Sequence, residues 1–411
     1  DLAVSSRVET LPRLSSELRA LEAQARLAVS RDVGFEPDRF LKTASRTHAL
    51  LEALRADPGN AVYTGTVRRD FADQPDFHAW PLGAAQWRFE SGARGLTLHA
   101  WSPTDARWYS ASDGRARGMD PSFDPRNVYS GPLWGAGTVA ELVGSKVTIS
   151  AVRVSDDGAV SMAMPKGAKG TQTRLSIDEL IGADCSHHMW ADLRLDLGER
   201  FGRGLKRRPL PQPAVIVPAG FGDLGFNDLG QVYEWEVQDI AKDRLLLTID
   251  GHDHETALQL HRSSRRIDAI LVEATIGAHG VVYRPVTVFS THKKQSEVRN
   301  LDFDDWPFQR RAKVRDLMDR IGAFLKPASD ITPMPDPLER IVADATDALV
   351  AAAAQTPHTG FDALRSRCEA AGLLVLAEAL NKAEQDPSMA TALRGAYLAS
   401  EVESALWLDA G

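Results

Sequence analysis

Three histidines lie close together in the segment from Asp250 to His261. His252 and His254 are two residues apart, so on a β-strand their side chains would point to the same face. Imidazole and carboxylate groups are common ligands of divalent metals, and with Asp253 and His261 this set would suit a metal-dependent hydrolase. Aspartate and glycine are also ordinary turn residues, so a polar turn is the alternative interpretation.

A second candidate site is the basic segment 202–208. Its cations would contact nucleic-acid phosphates or an acidic protein partner, and they are Arg203, Lys206, Arg207 and Arg208. A solvated loop is the alternative. The whole chain has 48 lysines and arginines against 56 aspartates and glutamates, a formal net charge of -8. This balance gives no general attraction to nucleic acid or anionic lipid, so any basic surface must be local.

The third candidate consists of two tryptophans in a predicted β-hairpin. Two alternating runs flank a Ser-Pro-Thr-Asp turn between Gly95 and Ser112, which is typical of a hairpin. Alternation places Leu98 on the face predicted to be core and Trp101 on the other face, nearer solvent or a neighbouring domain. Trp101 and Trp108 are therefore candidates for contact with a protein partner or for stacking on nucleic-acid bases.

The rest of the sequence limits the class of protein. Its two cysteines, Cys185 and Cys368, are too few for a disulfide framework, so we expect a cytoplasmic protein. We find no apolar run of membrane-spanning length and no signal segment, so we expect no membrane partner. No nucleophile elbow or phosphate-binding glycine loop is recognisable, so the residues do not identify an enzyme.

The elements that must position these residues change in kind along the chain. A length of 411 residues predicts several domains. Helical spacing at both ends and alternating, β-branched stretches between them predict an α+β fold with two antiparallel, barrel-like or sandwich-like units. The predicted divisions are a helical hairpin at 1–57, a first β-rich unit at 58–165, a connector at 166–213, a second β-rich unit at 214–300 and a helical bundle at 301–411.

Two strand predictions in the second unit bear on the candidate sites. Residues 257–261 are predicted as a strand that follows the histidine segment. Residues 269–275 and 281–289 are predicted as a hairpin, because the glycines Gly277 and Gly280 between them suit a tight reversal.

One family resemblance rests on four motifs that follow the helical pair. They are Gly95-Leu-Thr-Leu-His-Ala-Trp101, Ala106-Arg-Trp-Tyr-Ser-Ala-Ser-Asp113, Ser130-Gly-Pro-Leu-Trp-Gly135 and Glu141-Leu-Val-Gly144. In this order they resemble the region that follows the zinc finger in bacterial SWIM-type proteins. The likeness covers most of the chain, more loosely in the second β-rich unit and the helical end. Proteins of this kind tend to be encoded beside MoxR-type AAA ATPases and proteins with von Willebrand factor A (VWA) domains.

The resemblance implies a non-enzymatic scaffold that binds protein partners, with an AAA ATPase or a VWA protein as the partner class. The Cys-x-Cys and Cys-x-His ligand pairs of the SWIM finger are absent from these residues, so any such finger and its zinc would precede Asp1. No cofactor is therefore expected within this chain. Nucleic-acid binding and metal-dependent hydrolysis are the alternative functions.

Overall fold

A computed structural model gives the fold and describes residues 2–8, 10–65, 70–89, 92–116, 118–207, 210–277, 280–292, 295–304, 337–353 and 360–409. It has N-terminal helices, two large, mainly antiparallel sheets and a C-terminal helical bundle, which confirms the α+β class. In these residues neither large sheet forms a closed barrel.

The N-terminal helices form the predicted hairpin. Their bounds are α1 Leu2–Val8, α2 Pro12–Ser30, α3 Pro37–Ala56 and α4 Ala61–Thr64. Proline opens both long helices, where its fixed φ suits the first turn and its missing N–H costs nothing. Leu14 of α2 packs against Leu50 and Leu54 of α3 in a small core.

The first sheet has five strands, which are β1 Ala72–Arg88, β2 Arg94–Ser102, β3 Arg107–Arg115, β6 Ser145–Val154 and β7 Gly170–Arg174. Their order in the sheet is β3-β2-β1-β6-β7. The short elements between them are α5 Pro125–Tyr129, β4 Pro132–Leu133, β5 Gly137–Thr138 and α6 Val139–Leu142. β2 and β3 pair antiparallel from Arg94 opposite Arg115 to Ser102 opposite Arg107, which confirms the predicted hairpin.

The second sheet is built from β8 Ser186–His187, β9 Gln212–Ile216, β10 Gly220–Asn227, β11 Val232–Gln238, β12 Arg244–Asp250, β13 Ile267–Ile276, β14 Val281–His292 and β15 Gln295–Asn300. Their order is β10-β11-β12-β14-β13-β9-β8, with β15 paired to β14. Three helices accompany them: α7 Ile177–Ile181, α8 Trp190–Phe201 and α9 His254–Ser263. β13 and β14 form the second predicted hairpin, which is confirmed.

The two sheets share one connectivity. In each sheet, a three-stranded meander is followed by helix, and the next strand returns to pair with the first strand, as β6 does with β1. In the second sheet, β9 and β10 together take the place of the first strand, and β13 returns to pair with β9. In the second sheet β12 also pairs parallel with β14. This is the connectivity of an open OB-type Greek-key barrel.

The sheets pack directly on each other. Leu82 and Trp101 of the first sheet share a buried cluster with Leu271 and Phe289 of the second. Gly83 lies at the closest approach, since a Cβ there would sit 2.5 Å from Cδ2 of Leu271 and nearer still to Oγ1 of Thr287.

The C-terminal helices form the predicted bundle. They are α10 Pro337–Ala353, α11 Phe361–Ala370, α12 Leu374–Gln385 and α13 Met389–Asp409. α13 also packs on α3, where Arg394 pairs with Glu52 at 2.6 Å and Lys42 pairs with Glu403 at 2.7 Å. Residues 305–336 of the predicted bundle lie outside the described residues.

Within the described residues, no helix is both long enough and apolar enough to cross a membrane.

The close approach of the sheets gives a first prediction. Replacing Gly83 with alanine forces the sheets apart or displaces Thr287, and we expect it to lower the free energy of unfolding by about 1–3 kcal/mol. The control is Gly225→Ala in β10, where nothing lies within 4 Å of the added methyl group; this change should stay within about 0.5 kcal/mol. Urea unfolding of both variants is the measurement, and equal stabilities would contradict the proposed contact.

Candidate binding cleft between the two sheets

A buried chain of charged groups joins the two sheets. His99 of β2 contacts Glu273 of β13 through its Nε2, 2.7 Å from Oε1. The other carboxylate oxygen of Glu273 accepts from Nη2 of Arg284 in β14 at 2.9 Å. Nη1 of Arg284 then donates to both oxygens of Asp302, at 2.8 and 3.1 Å. Each charge therefore has an opposite charge or a ring nitrogen beside it.

The pKa shifts of this chain follow from its geometry. Burial by itself would raise the pKa of Glu273, but the hydrogen bond and charge of His99, together with the Arg284 guanidinium, lower it to about 2. Burial acts to lower the pKa of Arg284, and the carboxylates of Asp302 and Glu273 outweigh it and raise that pKa above its usual value. Both groups are therefore ionised across the physiological range.

The turn from Asn300 to Asp304 fastens the second sheet to the first. The buried amide of Asn300 donates to the carbonyl of Ala84 at 2.8 Å, and Asp302 accepts from the backbone N–H of Gln86 at 2.6 Å. Phe303 enters the core of the first sheet and stacks on Tyr129 with ring centroids 4.3 Å apart. Asp304 accepts from the hydroxyl of Tyr129 at 3.1 Å, so four side chains of the turn contact the first sheet or the helix α5 that packs on it.

This turn forms one wall of a cleft of about 1010 Å³ between the sheets. The lining combines both signs of charge with apolar groups. The carboxylates are Asp250, Asp253, Glu255, Asp302 and Asp304, the guanidiniums are Arg88, Arg126 and Arg284, and the rings are Trp87 and Phe303. The cleft is therefore polar and suits a charged or peptide-like ligand better than an apolar one.

Trp87 lines the cleft, and its ring contacts the ring of Phe89. Their ring centroids are 5.1 Å apart, and Phe89 is 57% exposed. The Trp87 ring lies over Gly95 and Gly114, two glycines that face each other in the hairpin, and any side chain at either would collide with it. Its Nε1 donates to Oγ1 of Thr97 at 3.1 Å, so the indole is fixed on the sheet.

Four carboxylates of the cleft form no ion pair with the described residues. Asp304 accepts from the Tyr129 hydroxyl at 3.1 Å and from the backbone N–H of Asn300 at 2.8 Å. The other three, Asp250, Asp253 and Glu255, lie at the end of the cleft next to α9. Asp250 accepts from the backbone N–H of His252 at 2.8 Å and caps the turn that leads into α9. Partial burial, followed by the charges of Asp250 and Asp302, raises the pKa of Asp253. The acids at this end of the cleft therefore repel one another.

The predicted histidine site is not assembled. The strand prediction for 257–261 is wrong, because Ala257 and Leu260 are buried at helical spacing in α9. His252 lies exposed in the preceding turn, His254 contacts the hydroxyl of Tyr233, and His261 lies exposed in the last turn of α9. Among the described residues, no group of three or more histidine, cysteine, aspartate or glutamate side chains is placed to hold a metal.

The two predicted aromatic contact residues lie together but away from this cleft. Trp101 is 7% exposed and packs in the cluster between the sheets, while Trp108 is half-buried beside it. Leu98 is fully buried in the core of the first sheet. One face of the hairpin is therefore covered by the core of its own sheet, and Trp101 on the other face packs against the neighbouring sheet while Trp108 stays partly exposed.

The basic segment is engaged with the C-terminal helix. Arg207 pairs with Glu401 of α13 at 2.6 Å, and the backbone N–H of Gly204 donates to the same carboxylate at 2.8 Å. Lys206 is exposed, and Arg203 has a partner of its own. Arg208 lies outside the described residues.

The charge chain of Glu273, Arg284 and Asp302, of which the last two line the cleft, is not among the sequence-based candidates. Glu273 does carry a signal, since it is a lone charge in the apolar run from Ala269 to Ala274. A charge within a buried strand requires a partner, and the sequence does not reveal which one.

Comparisons with known proteins add little. No protein-family model matches the chain, and no curated protein matches its sequence. The chain is similar to a solved structure of the tetrameric p202 HIN2, with 10% identity, 56% of this chain and 95% of that chain covered, and a TM-score of 0.21. It is also similar to the p204 HINb domain, with 10% identity, 56% and 98% covered, and a TM-score of 0.26. At these scores neither likeness carries an argument about function.

The charge chain predicts a specific dependence of stability on pH. The folded-state pKa of Glu273, about 2, lies below the value of about 4.3 for an unfolded glutamate. Its ionised form therefore stabilises the fold above about pH 4.3, and that stabilisation is lost as the pH falls through the folded pKa. We expect the stability advantage of the wild type over Glu273→Gln to shrink by roughly 2 kcal/mol between about pH 5 and pH 3.

Denaturant unfolding across this pH range measures the effect. Glu369→Gln is the matched control, because Glu369 is exposed in α11. A constant difference between the wild type and Glu273→Gln at all these pH values would show that the carboxylate has no lowered pKa.

Proposed function

We propose that the chain is a non-catalytic protein-binding module and that the cleft between the two sheets is its docking surface. Arg284 and Asp302, which line the cleft, are paired with each other, and Arg284 is also paired with the buried Glu273 behind them. They fix the shape of the surface and leave no spare base or nucleophile among themselves. A preorganised surface of this kind suits recognition.

The observation that carries the proposal is the set of three carboxylates, Asp250, Asp253 and Glu255, that form no ion pair with the residues that the structure describes. A lysine or arginine of a partner segment would supply the missing cation and lower the pKa of Asp253. The adjacent rings of Trp87 and Phe89 would cover the aliphatic stem of such a side chain. The occupant is therefore a basic segment of another protein.

The family resemblance supplies the partner class for this proposal, an AAA ATPase of the MoxR type or a VWA-domain protein. An acidic cleft is compatible with either partner, provided that the docking segment carries lysine or arginine.

The test is direct binding to a peptide of alternating lysine and glycine, with its acetyl-lysine counterpart as the uncharged probe. We expect the double variant Asp253→Asn/Glu255→Gln to weaken binding of the lysine peptide about thirtyfold, since two charge pairs are lost and each is worth on the order of 1 kcal/mol. Glu36→Gln/Glu369→Gln makes the same change of charge at exposed positions in the N-terminal and C-terminal helices and should bind as the wild type does. Equal binding by both variants would remove the cleft as the docking surface.

The partner class has its own measurement. The purified MoxR-type ATPase and VWA protein of the same organism are titrated with the wild type and with both double variants. Loss of binding only in the cleft variant supports the assignment, and no binding of either protein to the wild type contradicts it.

Relief of the repulsion at Asp253 gives a stability prediction. Because the pKa of Asp253 is raised, its ionised form costs free energy in the folded chain, so Asp253→Asn should raise Tm at neutral pH by on the order of 1 °C. The gain should vanish below about pH 3.8, where the carboxyl group is protonated in both states. Calorimetry at the two pH values measures it, and a lower Tm at neutral pH would contradict the repulsion.

Single-stranded nucleic acid is a second candidate ligand, favoured by one observation. Arg88 is exposed between Trp87 and the exposed ring of Phe89, on a sheet of OB-type connectivity, and an aromatic pair beside a cation can stack and hold a nucleotide. If this platform binds, Arg88→Gln/Phe89→Ala should weaken affinity for a thymidine oligonucleotide at low salt about tenfold. Arg265→Gln is the control for charge, and binding too weak to show a salt dependence would exclude this ligand.

A further inference from the structure

Three tryptophans form a row across the first sheet. Trp80 of β1 lies opposite Trp101 of β2, and Trp101 lies opposite Trp108 of β3. The rings of Trp101 and Trp108 meet edge to face, with centroids 5.6 Å apart and planes at 65°. Trp80 and Trp108 are only partly buried, so this row is both a core element and a surface.

The row forms one wall of a groove of about 340 Å³ that is separate from the cleft. Trp80, Trp101 and Pro103 line this wall, and the opposite wall is the segment from Asp178 to Asp184 that follows the start of α7. Trp80 and Trp87 are seven residues apart on β1, which corresponds to about 23 Å of extended strand. The groove and the cleft therefore lie at opposite ends of the face between the sheets.

The acidic wall is held in place by its own hydrogen bonds. Ser176 and Glu179 form a reciprocal capping box at the start of α7. Glu179 also pairs with Lys146 of β6 at 2.6 Å, which anchors the segment to the first sheet. Both carboxylate oxygens of Glu179 therefore have a hydrogen-bond partner. Asp178 and Asp184 are exposed and form no ion pair with any residue that the structure describes.

We propose that this groove binds one cationic side chain, a lysine or arginine of a partner protein. The indole faces attract a cation through their quadrupole, and Trp is the best of the aromatic side chains for this contact. Asp178 and Asp184 supply the opposite charge from the other wall, and Pro103 adds apolar surface for the methylene stem. A neutral or anionic side chain would gain neither the cation–π attraction of the tryptophans nor the charge attraction of the carboxylates.

The size and charge of the groove select its occupant. A volume of about 340 Å³ accommodates one long side chain and is too small for a folded element. A phosphate-bearing ligand would face Asp178 and Asp184, whereas Lys146, the cation nearest to this wall, is already paired with Glu179, so the charge of the groove disfavours nucleic acid. The proposal does not depend on the cleft, because the two sites share no lining residue.

The experiment uses the full chain labelled with 5-fluorotryptophan and observed by fluorine NMR. Trp80→Phe identifies the Trp80 signal. The probes are short glycine peptides that contain arginine, lysine, citrulline or acetyl-lysine at the centre. We expect the arginine and lysine peptides to shift the Trp80 and Trp101 signals with millimolar to high-micromolar affinity, the order expected for one cation–π contact with carboxylate support. Citrulline and acetyl-lysine should shift neither signal.

The variant Asp178→Asn/Asp184→Asn tests the acidic wall. Both residues are exposed, so the fold should be retained, and the tryptophan spectrum of the free variant verifies this. We expect at least a fivefold loss of affinity for the cationic peptides, while Asp228→Asn at the distant β10–β11 turn binds as the wild type does.

Equal shifts with citrulline, unchanged binding by Asp178→Asn/Asp184→Asn, or shifts confined to other tryptophans would each overturn the proposal. The cleft variant Asp253→Asn/Glu255→Gln should retain the Trp80 shift. The outcome at the groove therefore stays distinguishable from the outcome at the cleft.

Discussion

The ionised carboxylate of Glu273, held between His99 and Arg284, is the interaction on which the arrangement of the two sheets depends. A buried charge of this kind adds little net stability compared with a well-packed apolar contact, but loss of one partner costs about 3–5 kcal/mol. It therefore acts mainly as a constraint on geometry. Only the observed packing brings β2, β13 and β14 to the positions where every charge is compensated. The close contact at Gly83 also fixes the packing of the two sheets, through shape. The turn from Asn300 to Asp304 fixes it through hydrogen bonds.

Both candidate binding surfaces follow from this packing. β1 passes along the whole contact between the sheets, and each surface opens where the contact ends. At one end the strand carries Trp80 toward α7, and at the other it carries Trp87 toward the acids near α9. The middle of the contact is closed by apolar residues. If both proposed surfaces bind cationic groups, a partner with two basic segments would gain affinity by engaging both.

The sequence predicts local structure better than it predicts the sites. Helical spacing identifies the N-terminal pair and the C-terminal bundle, and alternation with turn residues identifies both hairpins, because these signals are contained within a few residues. The strand prediction after Asp250 is wrong because the polar residues of the turn continue into a short helix, in which only Ala257 and Leu260 are buried. The glycine-rich strand β10 gives almost no alternating signal. The partners of Glu273 come from distant strands, and the alignment of Trp80 with Trp101 depends on strand register, so neither can be inferred from sequence spacing.

The last helix has a consequence for how the described parts of the chain can move. α13 contacts α3 through two ion pairs and reaches the core beside α8 through Leu408. It also packs closely on α10, since a Cβ at Gly395 would lie 2.5 Å from Cδ2 of Leu349. One rigid rod thus touches the N-terminal helices, the bundle and the second sheet, and a rotation of α13 would have to displace all three at once. α13 therefore links these three parts, and relative motion between them requires α13 to detach from at least one of them.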